Sequence, residues 1–268
     1  MVLELIKRFG KENVDVLFFN TGAEHPKTYE FIQRFVEHFD IDLTCVEVVV
    51  NKEGMGRKFS NSWKIVPVDS MGWDMSLMRD VMGKYGRPSH NAAVCTRELK
   101  EYTSERYVKA TYEKGNFEVW LGMRADEPRR VHVGRKHYRY LAEISDADKQ
   151  DVLDFWSEQP FDLEIQEHLG NCVFCIKKSM GKVALAIEDE PELAKEWAKV
   201  LQEANNREDL PDHYAKLNGA GIIYRGNNTF DSLQAKYAEL SRDELAKRLT
   251  SMRQYDTGSC TESCEAFK

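Results

Sequence analysis

No stretch of about 18 apolar residues occurs in the chain, so it offers no candidate membrane span. Met1–Gly10 lacks the apolar core and small-residue cleavage site of a secretory leader. No internal repeat or low-complexity tract stands out. A surplus of positive charge is missing too. The formal net charge is -7, which argues against a protein that coats nucleic acid with a uniformly basic surface and leaves room for a local basic cleft. The cytoplasm is the expected compartment. Thiols stay reduced there, so the six cysteines are expected as ligands, nucleophiles or core residues rather than disulfides.

Within these limits, 268 residues with 42% hydrophobic and 31% charged side chains suit one large domain, or a domain with a small extension, around a sizeable core. Val2–Phe9 carries Leu3, Ile6 and Phe9 at helical spacing, and Gly10 fits its stop. Val14–Asn20 reads as an apolar strand covered on both faces. Pro26 suits the first turn of a helix with Tyr29, Ile32, Val36 and Phe39 along one stripe. Leu43–Val50 and Phe117–Gly122 read as further strands, the latter buried, and Ser145 as the cap of a helix through Trp156. This alternation predicts an α/β domain over residues 1–180 with a mainly parallel sheet. A helical C-terminal extension is expected over residues 181–268, with helices at Glu192–Asn205 and Asp231–Leu249. Between Asn51 and Pro88 the pattern is weak, which predicts either a functional loop or an irregular surface excursion.

Four short stretches carry the chemistry. In "LFFNTGAEHPKTYEF", Asn20, Thr21 and Gly22 stand at the carboxyl end of a strand, where parallel α/β sheets bind ligands. A plain strand-to-helix turn is the competing reading. In "AVCTRELK", Arg97 and Lys100 share a helix face at i and i+3 and can present two cations to an anion. Cys95 sits at that helix start, where a thiolate is favoured. "LGMRADEPRR" sets Arg124, Arg129 and Arg130 at another strand end, suited to phosphate or sulfate, with Asp126 and Glu127 to orient them or face a metal. Cys172 and Cys175 form a C-x-x-C, and Cys260 and Cys264 a C-x-x-x-C. Two such pairs are what a tetrahedral zinc site or a cubane cluster draws together. Lys177 and Lys178 beside the first pair favour the negatively charged cluster; redox chemistry by a thiol of the second pair is the alternative. Cys45, inside an apolar strand, reads as a core residue.

Taken in order, "FFNTGAEHPKTYEF", "CTRELK", "GMRADEPRR", "SDADKQDVLDFW" and "GNCVFC" resemble the phosphoadenosine phosphosulfate (PAPS) reductase family. That family belongs to the adenine nucleotide alpha-hydrolase-like superfamily of PP-loop ATP pyrophosphatases. The sequence looks most like its phage and mobile-element branch, and like the related enzymes that put sulfur into DNA. The resemblance implies a Rossmann-like parallel sheet flanked by helices that binds ATP or PAPS. Asn20, Thr21 and Gly22 would lie near the adenosine, and Arg97, Lys100, Arg124 and Arg130 would face the phosphate or sulfate end. It further implies a [4Fe-4S] cluster held by Cys95, Cys172 and Cys175, completed by Cys260 or Cys264, with zinc as the alternative. The family's S-G-G-x-[DT]-S loop, which cradles phosphates through backbone amides, has no counterpart upstream of Val14. Either a truncated chain or a lost loop is expected.

Two activities follow from the resemblance. In sulfonucleotide reduction the Cys260 thiolate attacks the sulfur of a bound phosphosulfate, and arginines such as Arg124 stabilise the leaving phosphate. Thioredoxin or glutaredoxin then releases sulfite. In ATP-dependent sulfur transfer to nucleic acid, of the DNA phosphorothioation or tRNA thiolation type, ATP is hydrolysed to AMP and pyrophosphate. The cluster then holds or passes sulfur from a donor. A third reading, from another class, is a catalytically inactive nucleotide-binding module with a structural zinc.

Overall fold

The protein was analysed as a computed structural model that describes residues 1–131, 134, 137–205 and 221–252. Helix α1 (Val2–Phe9) ends at Gly10, whose φ of 86° favours glycine. Strand β1 (Val16–Phe19) turns into α2 (Pro26–His38), where the His25 side chain accepts from the Lys27 amide and Pro26 fills the first turn. Strand β2 (Leu43–Val49) lies parallel to β1, with Val16 opposite Leu43. These elements follow the sequence pattern. One detail differs: β1 is half-buried along its whole length rather than covered on both faces.

The weakly patterned segment is not an irregular excursion. It holds strand β3 (Ser62–Val66), antiparallel to β2, and helix α3 (Ser76–Tyr85). A π-helical turn over Thr96–Glu101 then runs into α4 (Tyr102–Thr111). Strands β4 (Val119–Leu121) and β5 (Tyr138–Tyr140) pair parallel in a second sheet. β4 is half-buried, not the buried strand its sequence suggests. Helix α1 packs on this sheet, with the Phe9 and Trp120 rings 5.8 Å apart. The architecture is thus α/β, with parallel strand pairs and one antiparallel edge.

Helix α5 (Lys149–Ser157) begins later than Ser145 suggests. Asp148 is its cap, accepting from the amides of Gln150 and Asp151, whereas the Ser145 hydroxyl is taken by the Ala147 amide two residues on. The C-terminal half adds α6 (Met180–Asp189), α7 (Pro191–Asn205), α8 (Phe230–Tyr237) and α9 (Arg242–Met252). The single helix expected over Asp231–Leu249 is therefore two. Ser241 breaks it, with its amide and hydroxyl both donating to Glu244.

One apolar core joins both halves. Val48 of β2, Val81 and Met82 of α3, Leu99, Val173 and Phe174 pack with Val183, Trp197, Val200 and Leu233 of the C-terminal helices. Ala194, Trp197, Val200, Leu201 and Ala204 face inward along α7 at helical spacing. This packing brings residues around position 172 against the end of β1.

Candidate functional site: a cysteine-lined cavity at the end of β1

The turn after β1 is fixed by its own polar groups. The Asn20 amide donates to Val46 O and extends the strand pairing by one residue. Its side chain donates to Glu47 and accepts from the Gly22 amide and the Tyr29 hydroxyl. Asn20 is thus fully engaged in holding the turn. Gly22 has a φ of 68°, and a Cβ there would meet Asp74 O at 2.0 Å. Close approach of backbone therefore requires the glycine.

Thr21 and Glu24 face the other way, toward the C-x-x-C loop. Val173 donates its amide to Ala23 O at 2.9 Å, and Glu24 forms an antiparallel bridge with Cys172. The buried Glu24 Oε1 gathers three contacts: Thr21 Oγ1 at 3.4 Å, Lys100 Nζ at 3.4 Å and Cys172 Sγ at 3.5 Å. Thr21 Oγ1 also lies 3.6 Å from Cys172 Sγ.

Beneath the loop, Lys178 is buried and donates to His168 O at 2.6 Å and Val173 O at 2.9 Å. Burial pushes its pKa down to about 8, against the opposing pull of Cys175, Cys172 and Glu24. A second polar layer follows. His168 contacts Asp189, which also receives Arg242. Burial alone would raise the Asp189 carboxyl, but the hydrogen bonds and charges of Arg242 and His168 hold it below its usual range.

Cys95, Cys172 and Cys175 line one cavity together with Thr21 and Lys100, closed by Trp73, Phe174 and Trp197. Its volume is ≈ 20 Å³, about the room one water needs. Among the described residues, no three or more His, Cys, Asp or Glu side chains are arranged to hold a metal ion. Cys45 stands apart in the core, where burial pushes its thiol up to about 12.

The other sequence-predicted residues do not join this cavity. Arg97 turns to the buried Glu98 at 2.8 Å and lies over the Tyr85 and Tyr102 rings. The π-helical turn separates it from Lys100, so the two do not share the i, i+3 face of an α-helix. Arg124 forms a fork with Asp126, and Arg130 donates to the buried Glu127 at 2.6 Å. The Asp126 and Glu127 carboxylates orient these arginines at the end of β4. Cys260 and Cys264 lie outside the described residues. Glu24 was missed as a site residue. Glu24 sits inside the strand-end motif, and its role depends on contacts from residues 100 and 172, which spacing cannot reveal.

The chain is 37% identical over 266 residues, 99% of its own length and 89% of the other's, to the uncharacterized nin region protein ORF290 of Escherichia phage lambda. It belongs to the same family. No protein-family model and no solved structure matches the chain. Among the described residues, no helix is long and apolar enough to cross a membrane.

Proposed function

We propose that this chain is an adenine-nucleotide enzyme of sulfur metabolism, similar to the PAPS reductases, on a Rossmann-like sheet. The nucleotide sits beside a [4Fe-4S] cluster held at the cysteine-lined cavity. One observation carries the reading. Cys95, Cys172 and Cys175, with Thr21 and Lys100, come from three separated stretches of sequence, and all five line one void. They are among the residues that the resemblance selects for cluster and nucleotide.

The donor set fits such a cluster in kind. Around a single tetrahedral ion the sulfurs close to about 3.8 Å from one another, whereas cluster ligands attach to separate irons and ring a common void, which here would have to widen from ≈ 20 Å³ to admit the cubane. The buried Lys178 sets positive charge toward Cys172 and Cys175. Cys95, Cys172 and Cys175 would supply three ligands and Cys260 or Cys264 the fourth. A bound cluster would supply negative charge and electron-transfer capacity beside the substrate. The protein's own residues would serve that substrate: Lys100 would bind an anionic group at the cavity, Glu24 would position Lys100 and Cys172, and Trp73 and Trp197 would exclude water.

Anaerobic purification with iron, sulfide and zinc analysis tests this. A broad absorption near ~400 nm with about four irons per chain, lost in Cys172→Ala, supports it. Zinc alone would replace it with a structural metal site. No metal in anaerobically purified protein would leave thiol chemistry without a cluster. Incubation with ATP then separates the two activities, because pyrophosphate release marks sulfur transfer, and sulfite release from PAPS marks reduction.

A further inference from the structure

A second cationic centre lies outside the cysteine cavity. Arg87 follows α3 through Gly86, whose φ is 80°, and is only 7% exposed. Its Nε is enclosed and has no hydrogen-bond partner. Among the described residues no carboxylate pairs with it, and burial alone draws its pKa below the usual arginine value. The other buried cations in this half of the chain are served differently: Lys84 donates to Phe59 O and Asn61, and Lys178 to two carbonyls.

The surroundings hold the guanidinium in place. The His90 amide donates to Ile223 O at 2.9 Å, which straps the 87–92 loop to the turn formed by Ile223 and Asn228. On that side Gly221 has a φ of 69°, and a Cβ there would come within 3.3 Å of Arg87 Nη1. A side chain at position 221 would press on the guanidinium. Lys177 Nζ donates to His90 O at 2.9 Å and so brings a second cation to the same loop. The loop continues through Ala92 directly to Cys95.

A buried guanidinium with an unmet donor is costly unless an anion completes it. A guanidinium presents its donors in a planar fork suited to the oxygens of a tetrahedral oxyanion, and an anion completing this one would enter beside the enclosed Nε. We propose that Arg87, assisted by Lys177, seats a phosphate or sulfate group at the 87–92 loop. This site is separate from Arg124 and Arg130, which, unlike Arg87, are ion-paired to the Asp126 and Glu127 carboxylates. It does not depend on the nucleotide reading.

The test is thermal unfolding of the whole chain in inorganic phosphate, inorganic sulfate and chloride at equal ionic strength. Phosphate or sulfate should raise the wild-type midpoint saturably, by roughly 2–4 °C at about tenfold excess over Kd. Arg87→Met should abolish that response, and Lys177→Met should weaken the apparent affinity about tenfold. Should Arg87→Met fail to fold, the wild-type and Lys177→Met responses decide. Equal responses to all three salts in wild type overturn the proposal, as does an oxyanion response unchanged in Lys177→Met. Competition between ADP and phosphate in the folded protein would assign the group to a nucleotide. Independent binding would assign it to a free anion, and both results require the seat.

Discussion

Glu24 and Cys172 stand 148 residues apart in sequence, yet they meet twice. Their backbones form an antiparallel bridge, and Cys172 Sγ lies 3.5 Å from Glu24 Oε1. The same oxygen takes Lys100 and Thr21. A single buried carboxylate therefore ties the end of β1, the π-helical turn and the C-x-x-C loop into one site.

Removing that carboxylate should loosen all three. Glu24→Ala leaves Lys100 without its acid and opens space beside Cys172. Because Lys100 is partly exposed, the ion pair itself contributes little, and most of the loss comes from the unmet buried contacts. The expected destabilisation is ~1–3 kcal/mol in urea unfolding. Glu24→Gln keeps the shape and should lose less than half of that. An alanine variant as stable as wild type would show that the carboxylate does not hold the site together.

Gly22 permits a sharper prediction. Asp74 donates its amide to Gly22 O at 2.9 Å, and its own carbonyl lies where a Cβ on residue 22 would stand. Gly22→Ala must break this backbone embrace as well as adopt a positive φ. We expect a loss of ~3 kcal/mol or more, or a midpoint lower by at least ~6 °C. Asp74→Ala should be mild by comparison, because the clash is with backbone. A loss below about 1 kcal/mol for Gly22→Ala would contradict this account.

Sequence periodicity captured the elements that bury apolar residues. Helix α1 and strand β2 lie where their patterns put them: Leu5 is buried on the helix, and Cys45 and Val48 are buried in two different clusters on opposite faces of the strand. Strand β3 escaped notice because Trp63 and Val66 are only half-buried and Ile65 is exposed, so an edge strand leaves no clean alternation. The start of α5 reads as Ser145 because serine is a good cap, but Asp148 is one too, and Asp148 is the residue that reaches the helix amides. At the site, the cysteines were named on resemblance and spacing. That Cys95 joins Cys172 and Cys175 depends on packing between distant segments. Arg87 escapes a sequence reading, because burial of a single charge leaves no local signature.

The cysteines themselves should separate by reactivity. Cys45 is 1% exposed, its thiol is held up to about 12 by burial, and it rests against Met71 Sδ. A disulfide-exchange reagent should therefore leave it untouched in native protein and modify it only on unfolding. Cys45→Ala should show the same native thiol count as wild type, and one fewer in urea. A drop of one thiol under native conditions would mean that the β2 core opens readily.

His168 sets the acid limit of the fold beneath the C-x-x-C loop. It is buried, its carbonyl receives Lys178, and its ring contacts Asp189 at 2.8 Å. Burial lowers its pKa below 6.5, although Asp189 pulls the other way. The unfolded chain, near 6.5, therefore binds more protons than the folded one as acid is added. Stability is fully present above pH 6.5 and is lost as pH falls toward the folded pKa, by up to ~1.4 kcal/mol per pH unit. Asp189, whose pKa is also lowered, acts in the same direction but only below the ordinary aspartate value of 3.8. Urea unfolding between pH 8 and pH 3 separates the two windows. His168→Gln, which keeps a neutral donor toward Asp189, should flatten the dependence between pH 7 and pH 5 and leave the steeper loss below about pH 4. A wild-type slope retained in the glutamine variant would assign the acid sensitivity to another group.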